Sequence, residues 1–364
     1  MALKRRPKGG NFVNIEELLT NAAKAGASDV FIVAGLPFSY KLNGKIHYLN
    51  DTRLMPGDTK ALVEGIYQLA PEKDFDAFLK SGDDDFSFAI KGVSRFRVST
   101  YKQRGSLAAV VRIITFDLPD PEMLGIPRSV IELSSFTKGL VLVTGPAGSG
   151  KSTTLACMID EINRTKEDHI ITLEDPLEFL HSHKKSIVSQ REISTDTVSY
   201  VTALRSALRQ SPDVILLGEM RDYETINVAM TAAETGHLVI STLHTVGAAN
   251  TIDRIIDVFP PNQQSQIAVQ LSMVLQAVVS QQLLPCTDGT LAPAFEIMTV
   301  NTAIRNMIRD NKVHQIDGLI YSSATPSLQS MDNSILKMYK SGRIDKATAL
   351  LYATNQEMLK RRLM

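Results

Sequence analysis

The segment GPAGSGKS, residues 145–152, restricts the possible folds of this chain more than any other segment. It consists of a glycine, four residues and Gly-Lys-Ser, and it lies between the apolar run GLVLVT and a helix-forming stretch. Loops of this kind place backbone N–H groups around phosphate oxygens at the positive end of a helix. We expect Lys151 to reach the β- and γ-phosphates of a nucleotide and Ser152 to hold Mg²⁺. The residues predicted to contact the nucleotide are Gly145, Pro146, Ala147, Gly148, Ser149, Gly150, Lys151, Ser152 and Thr153.

Four short apolar runs follow the rhythm of a parallel sheet. They are GLVLVTG, HIITLED, DVILLGE and HLVIST, and longer segments of helical pattern separate them. Strands of a parallel sheet are covered on both faces, so they read as continuous apolar runs. The sequence therefore predicts a doubly wound α/β domain over residues 123–364, with a helical C-terminal region from about residue 261.

The first part of the chain has the pattern of a separate α+β domain over residues 11–115. A helix is predicted from Asn14 to Gly26, with Asn14 as its N-cap and apolar side chains on one face. Strand patterns follow in SDVFIVAG, FSYKLNGKIHYLN, SRFRVSTYKQRG and LAAVVRIIT, with a turn at Asn43-Gly44. We expect residues 1–10 to form a flexible tail and the proline-containing residues 116–122 to form a linker.

Charge and cysteine content exclude several classes of protein. Lys and Arg total 39 and Asp and Glu total 39, so the net charge does not favour nucleic acid or a membrane surface as a partner. Only two cysteines occur, without a CxxC pair, which argues against a disulfide scaffold or a zinc module. No apolar run approaches the ~20 residues of a spanning helix. We therefore expect a soluble cytoplasmic protein that is not inserted directly into the membrane.

Carboxylates end two of the predicted strands. Glu219 follows DVILLG, and Glu174 and Asp175 follow HIITL, with Glu178 close behind. Ligands of open α/β sheets lie at the carboxyl ends of the strands, so these groups are expected to point at the nucleotide. One carboxylate would hold the metal while the other would activate water.

Arginines and histidines complete the candidate site. Arg205 and Arg209 are one helical turn apart before the Glu219 strand, and four further arginines crowd one predicted hairpin of the first domain. These four are Arg95, Arg97, Arg104 and Arg112. In AAETGHLVISTLHT, the histidines His237 and His244 flank a strand and fall on its opposite faces, so they cannot ligate one ion without a bend.

Several motifs together resemble the secretion-superfamily ATPases. GPAGSGKSTT, ITLEDPLEF, DVILLGEMRD and AAETGHLVISTLHT follow the order and spacing of that family's phosphate loop, Asp box, Walker B segment and His box. AIRNMIRDNKVHQI, residues 303–316, is similar to the AIRNLI signature of the PilT-type twitching-motility ATPases, which power type IV pilus retraction. The likeness extends from GASDVFIVAGLP to MDNSILKMYKSGRI.

This resemblance implies a fold and a set of roles. The fold would be a PAS-like N-terminal domain followed by a RecA-like P-loop NTPase domain, assembled as a ring hexamer. Glu174 would be the general base, Glu219 would hold Mg²⁺ through water, and His237 and His244 would sense or position the γ-phosphate. Arg97, Arg104 and Arg112 would stabilise the phosphates. Apart from the resemblance, the grouping of the four arginines in one hairpin predicts that the first domain reaches over a nucleotide.

The resemblance also implies partners and leaves alternatives open. An ATP- and Mg²⁺-dependent motor would act on an inner-membrane pilus platform protein and would associate peripherally with the cytoplasmic face of the membrane through it. Other pilus ATPases are possible partners, because an accessory paralogue would carry the same motifs. Pilus extension or type II secretion is a second alternative, although relatives of that kind often carry a four-cysteine zinc module. A nucleic-acid translocase would need aromatic stacking residues in a basic channel, and this chain has no Trp.

Two segments depart from the family pattern. Residues 28–32 read SDVFI where the family has SDLHL, and residues 327–332 read SLQSMD where it has GMQTMD. Neither departure touches the nucleotide motifs, so we expect them to affect contacts with partners.

Overall fold

The computed structural model describes residues 14–42, 44–114, 118–323 and 325–363. The predicted tail at residues 1–10, Asn43 of the predicted turn and residues 116–117 of the predicted linker lie outside them. The described residues divide into two compact units. The N-terminal unit comprises residues 14–114 and 178–180, and the C-terminal unit comprises residues 118–177 and 181–363.

The N-terminal unit is a six-stranded antiparallel sheet with three helices. Its helices are α1 (Ile15–Lys24), α2 (Pro56–Leu69) and α3 (Phe75–Ser81). Its strands are β1 (Asp29–Ile32), β2 (Pro37–Leu42), β3 (Lys45–Arg53), β4 (Asp83–Ile90), β5 (Ser94–Gln103) and β6 (Ser106–Ile114). The strand order is β3-β2-β1-β6-β5-β4, which places β1 and β6 at the centre.

Helix α1 forms where the sequence predicts it. The side chain of Asn14 accepts a hydrogen bond from the backbone N–H of Glu16, which satisfies one of the free donors at the helix start. The side chains predicted for the apolar face, Ile15, Leu18, Leu19 and Ala22, are all buried. They belong to a core that also contains Val30, Phe96 and Val111 from the sheet.

The C-terminal unit is an eight-stranded mixed sheet with helices. Its strands are β7 (Gly139–Thr144), β8 (His169–Glu174), β9 (Ile187–Glu192), β10 (Val214–Leu217), β11 (Leu238–Leu243), β12 (Leu275–Pro285), β13 (Leu291–Thr299) and β14 (Leu328–Gln329). Its helices are α4 (Arg128–Ile131), α5 (Lys151–Thr165), α6 (Tyr200–Ala207), α7 (Tyr223–Glu234), α8 (Ala248–Asp257), α9 (Pro261–Val274), α10 (Thr302–Arg309), α11 (Ile316–Ser322), α12 (Met331–Lys340), α13 (Lys346–Tyr352) and α14 (Gln356–Arg362). Two short 3₁₀ helices cover Glu132–Ser135 and Val313–Gln315.

Strand order determines which loops meet at one edge of this sheet. The order is β14-β13-β12-β7-β11-β10-β8-β9, and the six strands from β12 to β9 run parallel. Strand β7 is fully buried and lies between β12 and β11. The carboxyl ends of β7, β11, β10 and β8 therefore share one edge, where each is followed by a loop.

The prediction of a helical C-terminal region from residue 261 is wrong in part. Helix α9 does form there, but β12 and β13 follow it and extend the main sheet. LQAVVSQQLLP, the sequence of β12, is a largely apolar run, and periodicity alone cannot tell a buried strand from a buried helix. The sheet is consequently mixed, because β13 and β14 are antiparallel to their neighbours.

Among the described residues, the longest helices remain too short or too polar for a membrane span.

Candidate functional site

The phosphate loop joins β7 to α5 in the predicted strand–loop–helix arrangement. Gly145 has a φ of 143°, and a Cβ atom there would collide with the carbonyl oxygen of Gln281 and approach Ser149 Oγ to 2.8 Å. Gly150, with a φ of 88°, directly precedes the first turn of α5. These positions need glycine because the left-handed backbone and the nearby groups leave no room for a side chain. The loop therefore presents bare backbone at the N-terminus of a 15-residue helix.

Two side chains of the loop indicate that its ligand is an anion. The Lys151 Nζ donates hydrogen bonds to the carbonyl oxygens of Gly145, at 2.9 Å, and Pro146, at 3.0 Å, which places the ammonium group inside the loop. The hydroxyl of Ser149 is buried and has no hydrogen-bond partner among the described residues. A buried donor without a partner is costly unless a ligand satisfies it, so the loop fits a phosphate group.

Strand β12 braces the loop from the side. Thr154 Oγ1 donates to the side-chain oxygen of Gln281 at 2.7 Å, and both residues are buried. Gln281 thus contacts the loop through its backbone and α5 through its side chain. No sequence pattern indicated this role, because Gln281 lies in the segment predicted to be helical.

Glu219 lies two residues beyond the end of β10, at the same edge of the sheet as the loop. Its side chain is 11% exposed and forms an ion pair with Arg221 through Oε1. Its other oxygen, Oε2, is buried and lies 3.4 Å from Nε2 of His244. Hydrogen bonds from Thr242 to Gly218 and from Met220 to Thr242 fix this strand end against β11. Mg²⁺ prefers oxygen ligands, and a carboxylate oxygen held in this way is of that kind. Ser152 is the second candidate ligand.

Glu174 ends the neighbouring strand β8. The backbone N–H of Gly218 donates to the carbonyl of Leu173 at 2.8 Å, which holds the end of β10 beside Glu174. The amide Nε2 of Gln190 donates to Glu174 Oε1 at 3.4 Å. The structure therefore brings the two predicted carboxylates to the ends of adjacent strands. Asp175, the next residue, is exposed.

Tyr200 is a member of this carboxylate edge that the sequence analysis missed. Its hydroxyl packs so closely against Gly218 that a Cβ atom there would lie 2.8 Å away. Burial raises the pKa of Tyr200, and the neighbouring charges of Glu219, Asp175 and Glu174 raise it further. The phenol therefore stays protonated and is available as a neutral hydrogen-bond donor. A tyrosine at the start of an ordinary helix carries no sequence signal for such a role.

The two histidines lie at opposite ends of β11. His244 follows the strand at the phosphate-loop edge and lies beside Glu219. His237 precedes the strand, and its Nδ1 lies 2.9 Å from the carbonyl oxygen of Ala232 at the end of α7. The structure thus brings His244, and not His237, to the carboxylates of its own unit, because a strand spans ~3.3 Å per residue.

The predicted arginines are divided between the two units. In the C-terminal unit, Arg205 pairs with Glu224 at 2.8 Å, and Arg209 follows the end of α6. In the N-terminal unit, Arg97 and Arg112 are register partners on β5 and β6. Arg112 also pairs with Asp29 at 3.1 Å.

The remaining candidates also belong to the N-terminal unit. Arg95 lies on β5, and Arg104 occupies the turn after β5 with a φ of 45°. Glu178 is exposed and falls in the short segment grouped with this unit. An action of Arg97, Arg104 or Arg112 on nucleotide stays a prediction.

The fold and this edge together define a phosphate-loop nucleotide-binding protein of the α/β class. The sequence model of the family described as "Type II/IV secretion system protein" matches residues 11–318. The chain therefore belongs to the type II/IV secretion system protein family.

Two relatives from Pseudomonas aeruginosa match over nearly their whole lengths. The type IV pilus retraction ATPase PilT is 46% identical over 93% of this chain and 97% of its own. The type IV pilus ATPase PilU is 38% identical over 96% of this chain and 91% of its own.

Solved structures give the same result. The crystal structure of the pilus retraction motor PilT with bound ADP has a TM-score of 0.87 and 47% identity, covering 96% of this chain and 99% of that one. The Legionella pneumophila ATPase DotB has a TM-score of 0.76 and 27% identity, covering 95% of this chain and 97% of that one. These comparisons confirm the resemblance to PilT-type ATPases predicted from the motifs.

Proposed function

We propose that this protein is a motor that hydrolyses ATP and drives the retraction of type IV pili. The observation that carries the proposal is that the phosphate loop, Glu174 and Glu219 lie along one edge of the parallel part of a single mixed sheet. Similarity to PilT of P. aeruginosa over 93% of the chain supports pilus retraction as the work performed. The ADP in the related PilT crystal structure supports an adenine nucleotide as the ligand.

The residues of the edge divide the chemical work. The loop from Gly145 to Thr153 binds the phosphates through its backbone N–H groups, and Lys151 neutralises part of their charge. Ser152 and Glu219 are the residues that would hold Mg²⁺, which, when bound, offsets charge on the β- and γ-phosphates. Glu174 accepts the proton of the attacking water.

His244 lies beside Glu219, and we assign it the response to the γ-phosphate because an imidazole ring nitrogen can donate or accept a hydrogen bond. A sensor role for His237 remains a separate proposal, because His237 lies at the opposite end of β11 from His244 and Glu219. The assignment therefore gives His244 the sensor role within one subunit.

The motor is proposed to work as a ring hexamer with a PAS-like N-terminal domain and a RecA-like ATPase domain. Nucleotide-driven changes in the shape of the ring would act on an inner-membrane pilus platform protein. We place the protein in the cytoplasm, peripherally at the inner face of the cytoplasmic membrane through that partner.

Pilus retraction in the native host tests this function. We expect a strain carrying Lys151→Ala in place of the native protein to lose twitching and to accumulate surface pili, because the ATP phosphates lose their principal cation. Surface pili are measured by shearing and immunoblotting, with Lys185→Ala, an exposed lysine beyond the phosphate loop, as the matched control. Twitching that persists in the Lys151→Ala strain at native expression would contradict the proposal.

A further inference from the structure

Gln190, on the adjoining strand β9, contacts the Glu174 carboxylate. Strands β8 and β9 are parallel, with Gln190 opposite Thr172 and Glu192 opposite Glu174. Since alternate residues of a strand share a face, Gln190 and Glu174 lie on the same face of the sheet. The Nε2 group of Gln190 reaches Glu174 Oε1 at 3.4 Å.

A second hydrogen bond determines which end of the Gln190 amide faces Glu174. The backbone N–H of His181 donates to Oε1 of Gln190 at 2.8 Å. A backbone N–H can only donate, so the amide oxygen must face His181 and the NH₂ group must face Glu174. Gln190 can therefore meet Glu174 only as a donor.

The segment that carries His181 is tied to the phosphate-loop helix. Asn163 of α5 is fully buried, and its side chain donates to the Ser182 carbonyl at 2.8 Å and accepts from the Lys184 N–H at 3.0 Å. Helix α5 begins at Lys151. A continuous set of contacts thus runs from the phosphate-loop helix through Asn163 and the His181 segment to Gln190 and Glu174.

We propose that Gln190 is a positioning residue that holds the Glu174 carboxylate in the orientation needed for proton abstraction. The inference rests on the proposed role of Glu174 as general base. A hydrogen-bond donor that is itself held in place fixes the orientation of the carboxylate it contacts. Gln190 acts through Glu174 and has no proposed contact with the nucleotide.

Two substitutions of Gln190 separate this role from a structural one. Gln190→Glu keeps the shape and the acceptor for His181 but turns an acceptor toward Glu174, so we expect kcat to fall about 100-fold. Gln190→Met removes the donor without adding charge, and we expect a fall of about tenfold. The KM for ATP and the affinity for a fluorescent ADP analogue should change less than about twofold, because the phosphate loop is untouched.

The matched control is Ser189→Ala on the same strand. Its hydroxyl contacts His169 Nε2 at 3.0 Å and faces away from Glu174, so kcat should stay close to that of the parent. Thermal midpoints are measured for every variant. If Gln190→Glu does not fold, Gln190→Met carries the test.

Comparison with Glu174→Gln distinguishes failure of this inference from failure of the proposed function. Loss of hydrolysis in Glu174→Gln together with parental kcat in both Gln190 variants would overturn the positioning role and leave the general base in place. Full hydrolysis by Glu174→Gln would refute the base assignment and the inference with it. A lowered kcat with unchanged KM in the Gln190 variants, beside an inactive Glu174→Gln, is the expected result.

Discussion

At the scale of single residues, the candidate site contains positions whose surroundings permit few other side chains. Gly145 has no space for a Cβ atom, Ser149 buries a hydroxyl without a partner among the described residues, and Glu219 buries one carboxylate oxygen beside His244. The buried Ser149 hydroxyl and the buried Glu219 oxygen each lower stability in the absence of a ligand. Such local costs are typical of sites built for binding.

Two glycines of the loop provide a residue-scale test. We expect Gly145→Ala to weaken ADP binding at least about tenfold, because the methyl group would collide with the Gln281 carbonyl and the Ser149 hydroxyl and so distort the loop. A methyl group at Gly148 would meet no described atom within 4 Å, and φ there is 76°. Gly148→Ala should therefore carry only the left-handed backbone cost of about 1–2 kcal/mol. Binding of a fluorescent ADP analogue and thermal midpoints would be compared, and equal effects of the two substitutions would contradict the steric explanation.

The phosphate loop and the two strand-end carboxylates could be predicted from the sequence because the spacing of these residues along the chain largely fixes their local backbone geometry. The loop pattern needs its glycines, and an acidic residue directly after an apolar strand lies at the ligand edge. Tyr200 and Gln190 could not be predicted, since their positions depend on which strands become neighbours. The separation of His237 from His244 likewise required the direction of β11.

At the scale of elements, a side chain of α10 contacts the end of α9. Arg305 of α10 donates through Nη1 to the carbonyls of Ser272, at 2.6 Å, and Met273, at 2.9 Å, in the last turn of α9. These carbonyls have no partner further along the helix, so Arg305 caps α9. Part of the AIRNMIR segment is thereby assigned a structural role.

Two arginines of α10 test this capping contact. Arg305→Ala should lower the free energy of unfolding by about 1–3 kcal/mol, because charged hydrogen bonds to the α9 carbonyls are lost. Arg309 is exposed and contacts its near neighbours Asn306 and Asp310, so Arg309→Ala should change stability by less than about 0.5 kcal/mol. Urea denaturation followed by circular dichroism measures both. Equal stabilities of the two variants would contradict the capping role.

Elements were predicted where their pattern was local and were missed where the pattern depended on the sheet. Helix α1 combines an N-cap with one apolar face, and the structure confirms it. Strand β12 has an apolar run that also fits a helix, and only its pairing with β7 and β13 decides the outcome. Tertiary pairing overrides local preference in such segments.

At the scale of the whole molecule, the proposed catalytic residues of one unit lie within one chain, whereas the proposed work requires several chains. The phosphate loop, Glu174, Glu219 and His244 all belong to the C-terminal unit. The proposed ring would add the N-terminal arginines and couple hydrolysis to movement. A ring motor should therefore gain activity as its subunits associate.

Steady-state Mg²⁺-dependent ATP hydrolysis, measured for the parent and Glu174→Gln over a range of protein concentrations, tests the central claim most directly. We predict that turnover per subunit of the parent rises with protein concentration, whereas turnover of Glu174→Gln is at least about 100-fold lower, because the proposed general base is lost. Nucleotide binding by both proteins, followed with a fluorescent ADP analogue, is the control. A parent that binds nucleotide without hydrolysing it, or a Glu174→Gln variant with parental turnover, would contradict the account.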